Sequence, residues 1–107
     1  MAYKIVITPE AEEDLDQIYS YISQHFLSVQ AADGTLANIK KTIVKLLEIP
    51  DLGIDVSNRL GRVFSESHRL RMILAGNYLV FYIVDQSSIV ILRVLYQKRN
   101  WIELFKK

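Results

Sequence analysis

The stretch His68–Tyr96, HRLRMILAGNYLVFYIVDQSSIVILRVLY, decides the fold. It holds three apolar runs of strand length, Arg69–Leu74, Tyr78–Val84 and Ile89–Tyr96. Ala75-Gly76-Asn77 separates the first two, and Asp85-Gln86-Ser87-Ser88 the last two. Val, Ile, Tyr and Phe dominate these runs, and such side chains suit a pleated, half-buried surface. Links this short make the strands antiparallel neighbours, because a parallel crossover needs about a dozen residues or more. The reading is a three-stranded meander that carries most of the core. From Tyr78 to Val84 the run is nearly all apolar, which predicts a middle strand covered on both faces.

Upstream, Tyr3–Thr8 reads as a short strand, with Tyr3, Ile5 and Ile7 alternating against Lys4, Val6 and Thr8. Thr8-Pro9-Glu10 then opens a helix: Thr8 as cap, Pro9 in the first turn, and Glu10, Glu12, Glu13 and Asp14 facing the positive end of the dipole. Ala11, Leu15, Ile18, Tyr19, Ile22 and Phe26 make its apolar stripe. Ser28 caps a second helix, whose Ala32, Leu36, Ile39, Ile43 and Leu46 keep helical spacing as far as Ile49, before Pro50. The joint is only a few residues long, so the two helices form an antiparallel hairpin. Pro50–Ser67 has no sustained period and reads as a loop returning to the sheet. After Tyr96 the chain turns through Gln97-Lys98-Arg99-Asn100, and Trp101, Leu104 and Phe105 mark one face of a short terminal helix. The whole of 1–107 is therefore one α+β domain, an N-terminal strand and an antiparallel helical hairpin packed on an antiparallel sheet completed by the meander.

The totals agree. The chain of 107 residues is half apolar and 23% charged, as in ordinary globular domains. It has no cysteine, so disulfides and thiolate chemistry are excluded and a reducing compartment suits it. The N-terminus lacks the layout of a secretory signal, and no apolar run reaches the length of a membrane span; the expectation is a soluble, cytoplasmic protein without membrane contact. The net charge of +1 conceals an asymmetry. Residues 1–33 carry six acids against Lys4 alone, whereas 68–107 carry seven bases against Asp85 and Glu103. Opposite poles of this kind suit different partners, although surface charge can also fall this way without function.

Phosphate-loop and dinucleotide motifs are absent, and so is any metal-spaced cluster, which predicts no metal and no cofactor. His25 and His68 are too isolated to form a metal pair and read as surface or interface residues. Arg69, Arg71, Arg93, Lys98 and Arg99 lie in or just after the strands. If they converge at one end of the sheet they suit phosphate or an acidic peptide; otherwise they solubilise strand ends. Tyr78, Tyr82, Tyr96 and Trp101 fit base stacking or, as aromatics in strands usually do, the core.

ITPEAEEDLDQIYSYI (7–22), LLEIPDLG (46–53), GNYLVFYIVD (76–85) and ILRVLYQKRNW (91–101), in this order and spacing, resemble the RelE/ParE superfamily of bacterial type II toxin–antitoxin toxins. The resemblance covers the whole chain. It implies a small growth-inhibiting toxin held in a hetero-oligomer with a cognate antitoxin that wraps the helices and sheet. The Tyr19, Ile22 and Phe26 stripe would then be an antitoxin groove, and the basic sheet end a second docking surface.

Two activities occur in the superfamily. RelE-like members cut mRNA on the ribosome, using an arginine early in the middle strand, further bases, and a C-terminal tyrosine or histidine. ParE-like members poison DNA gyrase without being hydrolases. Where the nuclease strand reads roughly G-Y-R-L-V-Y, this chain has Asn77-Tyr78-Leu79-Val80-Phe81-Tyr82, with Leu79 at the arginine position. Arg99 matches a second basic position, but Phe105 falls where the tyrosine belongs. Leucine cannot stabilise a developing phosphorane charge, and a phenyl ring cannot move a proton. The nuclease alternative needs Arg71, Tyr96 (or His68) and Arg99 as substitutes. The resemblance therefore favours the ParE-like branch: no catalytic residue, with Arg71, Arg93, Lys98, Arg99 and Trp101 as the surface that meets gyrase or antitoxin. A ribosome-dependent mRNA endonuclease is the first alternative, and a toxin-like module that has lost toxicity the second.

Overall fold

The computed structural model describes residues 2–57 and 68–105. In chain order they form strand β1 (Lys4–Ile7), helices α1 (Pro9–His25) and α2 (Val29–Lys45), strands β2 (Ile54–Asp55), β3 (Arg71–Ala75), β4 (Tyr78–Asp85) and β5 (Ser88–Tyr96), and helix α3 (Trp101–Phe105). The strands make one sheet in the order β1-β5-β4-β3-β2. The meander is present as expected, with β3–β4 and β4–β5 both antiparallel. Gly76 takes φ +63° in the first link, a conformation that glycine adopts without steric penalty.

Two features differ from the sequence reading. β1 joins β5 in parallel, so the sheet is mixed; the chain between them, the helical hairpin and three strands, is ample for the crossover. Within the expected loop 50–67, Ile54 and Asp55 pair with Met72 and Arg71 as a strand too short to show a period. The rest of that loop, 58–67, lies outside the described residues.

Both helix starts follow their caps. Thr8 accepts from the Ala11 amide at 3.2 Å and Ser28 from the Ala31 amide at 3.0 Å. The Thr8 hydroxyl also donates to the Ile91 carbonyl at 2.9 Å, so one side chain both caps α1 and fixes it to β5. The helices bury Ala11, Leu15, Ile18, Ile22, Ile39 and Ile43 on one face of the sheet, against Val80, Tyr82, Ile89 and Ile91. On the other face Leu79, Phe81 and Leu95 meet Val56, Leu70 and Trp101. β4 is thus covered on both sides, as its apolar run predicts. No helix among the described residues is long and apolar enough to cross a membrane.

The segment after α2 is held by Tyr82. Its hydroxyl donates to the Pro50 carbonyl and accepts from the Gly53 amide, both at 2.8 Å. Gly53 is required here because a Cβ would lie 2.8 Å from the Met72 carbonyl oxygen and from the Tyr82 ring. Gly34, on the outer side of α2, has nothing within 4 Å of a Cβ. Gly53→Ala should therefore lower unfolding free energy by about 1–3 kcal/mol, while Gly34→Ala should raise it by about 0.5–1 kcal/mol. Urea denaturation of the two variants checks both signs.

Candidate partner-binding groove

The site begins with an irregularity in β5. Phe81 pairs with Arg93 and Tyr82 with Ile91, so Leu92 is an extra residue and β5 bulges there. β1 ends at the same level, its last partner being Ile91. Past that point β5 has no strand on its outer side. Asp14 of α1 takes part of the vacant place, accepting the Val94 amide at 2.9 Å. The same carboxylate accepts Arg93 through Nε at 2.7 Å and Nη2 at 2.9 Å. This hydrogen bonding to Asp14 outweighs burial and raises the Arg93 pKa further above its ordinary range.

The dipole reading of Asp14 is thereby replaced. It stands beyond the first turn, where the dipole effect has largely gone, and it is buried. The signal was present in the sequence: an acid three residues after Ala11 and four before Ile18 falls on the apolar stripe.

Between α1, the start of α2 and this end of β4 and β5 lies a groove of about 760 Å³. Its walls include Ile18, Tyr21, Ile22 and Phe26 of α1, and Ala31 and Thr35 of α2. Tyr78, Val94, Tyr96 and Arg99 complete it from the sheet side. Three of its rings stay largely in solvent: Tyr21 is 54% exposed, Phe26 67% and Tyr96 45%. Tyr78 and Tyr96 meet edge to face with centroids 5.8 Å apart, and Tyr21 stacks on His25 at 4.0 Å. Burial pushes the Tyr78 phenol up, with Tyr96 and Tyr21 adding to the effect.

Of the residues singled out from the sequence, Ile22, Phe26, Tyr96 and Arg99 line this groove. Lys98 is exposed in the turn beside it. Tyr19 belongs to the hairpin instead, where it packs into the core beside the Asp33 carboxylate; burial and then Asp33 raise its pKa. Tyr21 is the aromatic that faces the groove, and the stripe reading missed it. Trp101 is 8% exposed and packs on Phe81 and Phe105 with centroids 5.1 and 6.4 Å away, so its ring serves the core.

Arg93 is committed to Asp14, and Arg71 lies elsewhere. Its guanidinium donates to the Gly53 carbonyl at 2.8 Å. Arg71 stands opposite Tyr82, whereas Tyr96 stands opposite Tyr78. Four residues of β4 separate these levels, roughly 13 Å along the strand. His68, which pairs with Asp85 at 3.1 Å, precedes β3 at the Arg71 end. The bases therefore do not converge: Lys98 and Arg99 mark one end of the sheet, Arg69 and Arg71 the other. Burial also raises the Tyr82 phenol, leaving it neutral and unsuited to act as a base near neutrality. Among the described residues no cluster of His, Cys, Asp or Glu has the makings of a metal site. What the groove offers is mostly apolar and aromatic surface, with Gln17, Thr35 and Asn77 as polar lining and the Arg99 cation in its wall.

Comparison with known proteins agrees with this architecture. The family model described as ParE toxin of type II toxin-antitoxin system, parDE, matches residues 5–101. Among solved structures, the chromosomal ParDE toxin–antitoxin system from P. aeruginosa is similar at a TM-score of 0.67 and 18% identity, over 89% of this chain and 96% of that one. The archaeal RelE-RelB complex from Pyrococcus horikoshii OT3 is similar at a TM-score of 0.60 and 16% identity, over 92% of this chain and 99% of that one. No curated protein matches the sequence.

Asp14→Ala would leave the Arg93 guanidinium and the Val94 amide unsatisfied, and is expected to cost about 3 kcal/mol. In a cycle with Arg93→Ala, the double variant should lose less than the sum of the two singles, with a coupling of about 1–3 kcal/mol. Denaturant midpoints of the four proteins measure it.

Proposed function

The chain belongs to the ParE toxin family of type II toxin–antitoxin systems, and from this membership we propose that it inhibits growth by binding DNA gyrase rather than by cutting RNA. Its cognate antitoxin silences it from the groove between α1 and the end of β5. The observation that carries the first part is that the groups a nuclease would need are divided between the two ends of the sheet, Arg71 and His68 at one and Tyr96 and Arg99 at the other. Leu79, at the arginine position, is buried on the sheet face opposite the helices, and Phe105 packs on Phe81 at 5.0 Å. The substitute set fares no better: Arg71 is bound to loop carbonyls at one end of the sheet, while Tyr96 and Arg99 stand at the other. Cleavage by a 2′-hydroxyl needs a base, an acid and a cation around one phosphate. A binder needs no such convergence.

The antitoxin reading rests on the exposed rings. Tyr21, Phe26 and Tyr96 leave an apolar, aromatic surface that is costly in water and well suited to an apolar peptide face. Arg99 and Lys98 at its rim would draw an acidic segment and set its orientation.

Purified protein is expected to block supercoiling by gyrase or to accumulate cleaved DNA, and to leave ribosome-bound mRNA intact. Codon-specific mRNA scission with gyrase untouched would establish the nuclease instead, and no growth effect on expression alone would indicate a module without toxicity. Arg99→Glu should weaken antitoxin binding at least about tenfold in a titration, through reversal of charge at the groove mouth.

A further inference from the structure

β1 is an edge of the sheet, with β5 on its inner side and, among the described residues, no strand on its outer side. The Lys4 amide donates to the Ser87 carbonyl at 2.9 Å and the Thr8 amide to the Ile91 carbonyl at 3.1 Å, which fixes the ladder phase. In a parallel pair every second residue bonds inward, so Lys4, Val6 and Thr8 turn their backbone groups to β5. Ile5 and Ile7 turn theirs outward, and an edge that offers amides and carbonyls in a row is a template for another strand. The side chains of Ile5 and Ile7 pack inward on the helix side of the sheet. Val6, on the opposite face, is 38% exposed, and α1 packs over β5 rather than over β1. The charges beside this edge are one-sided. Lys4 is exposed with no ion-pair partner among the described residues, and Glu10, Glu12 and Glu13 are exposed in the opening turns of α1, just past the strand.

We infer that this edge is the contact surface for a second copy of the chain: two β1 strands pair antiparallel about a two-fold axis at Val6 and join the two sheets into one. In that register Ile5 of each copy stands opposite Ile7 of the other, and the outward amide and carbonyl of both residues are satisfied across the joint. Val6 meets its own counterpart at the axis, in the kind of pair that is not hydrogen-bonded and brings side chains closest. The charges select the same occupant. Lys4 stands opposite Thr8 and not opposite a second Lys4, so the axis brings no like charges together. Each lysine comes instead beside the acids that open the other copy's α1, and the acidic excess of the first third of the chain gains a cation at its edge. The joint lies along β1 and the groove begins past its end, so the inference stands apart from the antitoxin reading.

The test is sedimentation velocity on the purified chain. A joint of one strand pair is small, so a reversible monomer–dimer equilibrium is expected between about 1 µM and 1 mM. In 15N-labelled protein the Ile5 and Ile7 amides should exchange about tenfold or more slowly at the dimer end of that range than at the monomer end. Val6→Lys sets two ammonium groups against each other at the axis and should weaken the dimer at least about tenfold, whereas Val6→Thr should leave it nearly unchanged. Circular dichroism shows whether each variant is folded. Ile5→Pro and Ile5→Ala give a second comparison: both lose the core side chain, but only proline lacks the amide that β5 does not use, so it should dimerise at least about tenfold more weakly. A chain still monomeric at the top of the range overturns the pairing. So does a dimer whose Ile5 and Ile7 amides exchange as in the monomer, or a folded Val6→Lys protein that dimerises like its parent.

Discussion

A single buried carboxylate decides how the two halves of this molecule meet. Asp14 gives its oxygens to the Arg93 guanidinium and to the Val94 amide, and so joins the first helix to the last strand at the point where β1 stops. Without it, β5 would carry a buried strand edge and an unpaired cation under α1. Removing charges from water is expensive, and a pair of this kind is retained where its geometry satisfies most of the donors it faces. Here the charge pair also substitutes for a missing strand. The bulge at Leu92 and Arg93 is part of the same arrangement, because the extra residue shifts β5 out of step with β4 just where Arg93 meets Asp14.

The groove follows from that junction. α1 is fixed to β5 at two levels, by the Thr8 hydroxyl at Ile91 and by Asp14 at Val94. Beyond the second level no hydrogen bond among the described residues joins α1 to β5, and Tyr21 and Tyr96 line the space between them. At the other end of the sheet the chain closes on itself. Tyr82, Arg71 and Gly53 draw the segment after α2 across the face, and a glycine is kept there for lack of room. The sheet thus has one end sealed by its own loop and one end left open, which is why basic residues that look equivalent in sequence differ in role. Arg71 holds the sealed end. Arg99 borders the open one.

How much of this was legible beforehand depended on the range of each interaction. β1, the three strands of the meander, the Thr8 and Ser28 caps, the Gly76 turn and the terminal helix are local patterns, readable from spacing and residue type. The two-residue strand Ile54–Asp55 was too brief to show a period, and the parallel seat of β1 depends on the whole crossover. The tie between Asp14 and Arg93 spans 79 positions and has no local trace except an acid on an apolar stripe. Tyr19 and Tyr21 illustrate the same limit. They sit roughly 200° apart around the helix, and periodicity alone assigns Tyr19 to the buried stripe without revealing that the groove opens on the other side. A wide stripe serves two neighbours, the hairpin and the sheet, and only their placement separates them.

Exposed aromatic surface is a liability for a free protein and an asset for one that is normally bound. The hairpin tip adds to it: Phe26 and Val29 are exposed, and Leu27 between them takes φ +49°, a conformation that favours glycine or asparagine. Stability alone would place a small or polar residue there. Phe26 belongs to both the tip and the groove wall, so exposed apolar side chains run from one to the other. A chain shaped only by its own folding would shed such a surface. On the proposed reading an antitoxin seated in the groove buries these same residues, and their penalty falls on the released form alone.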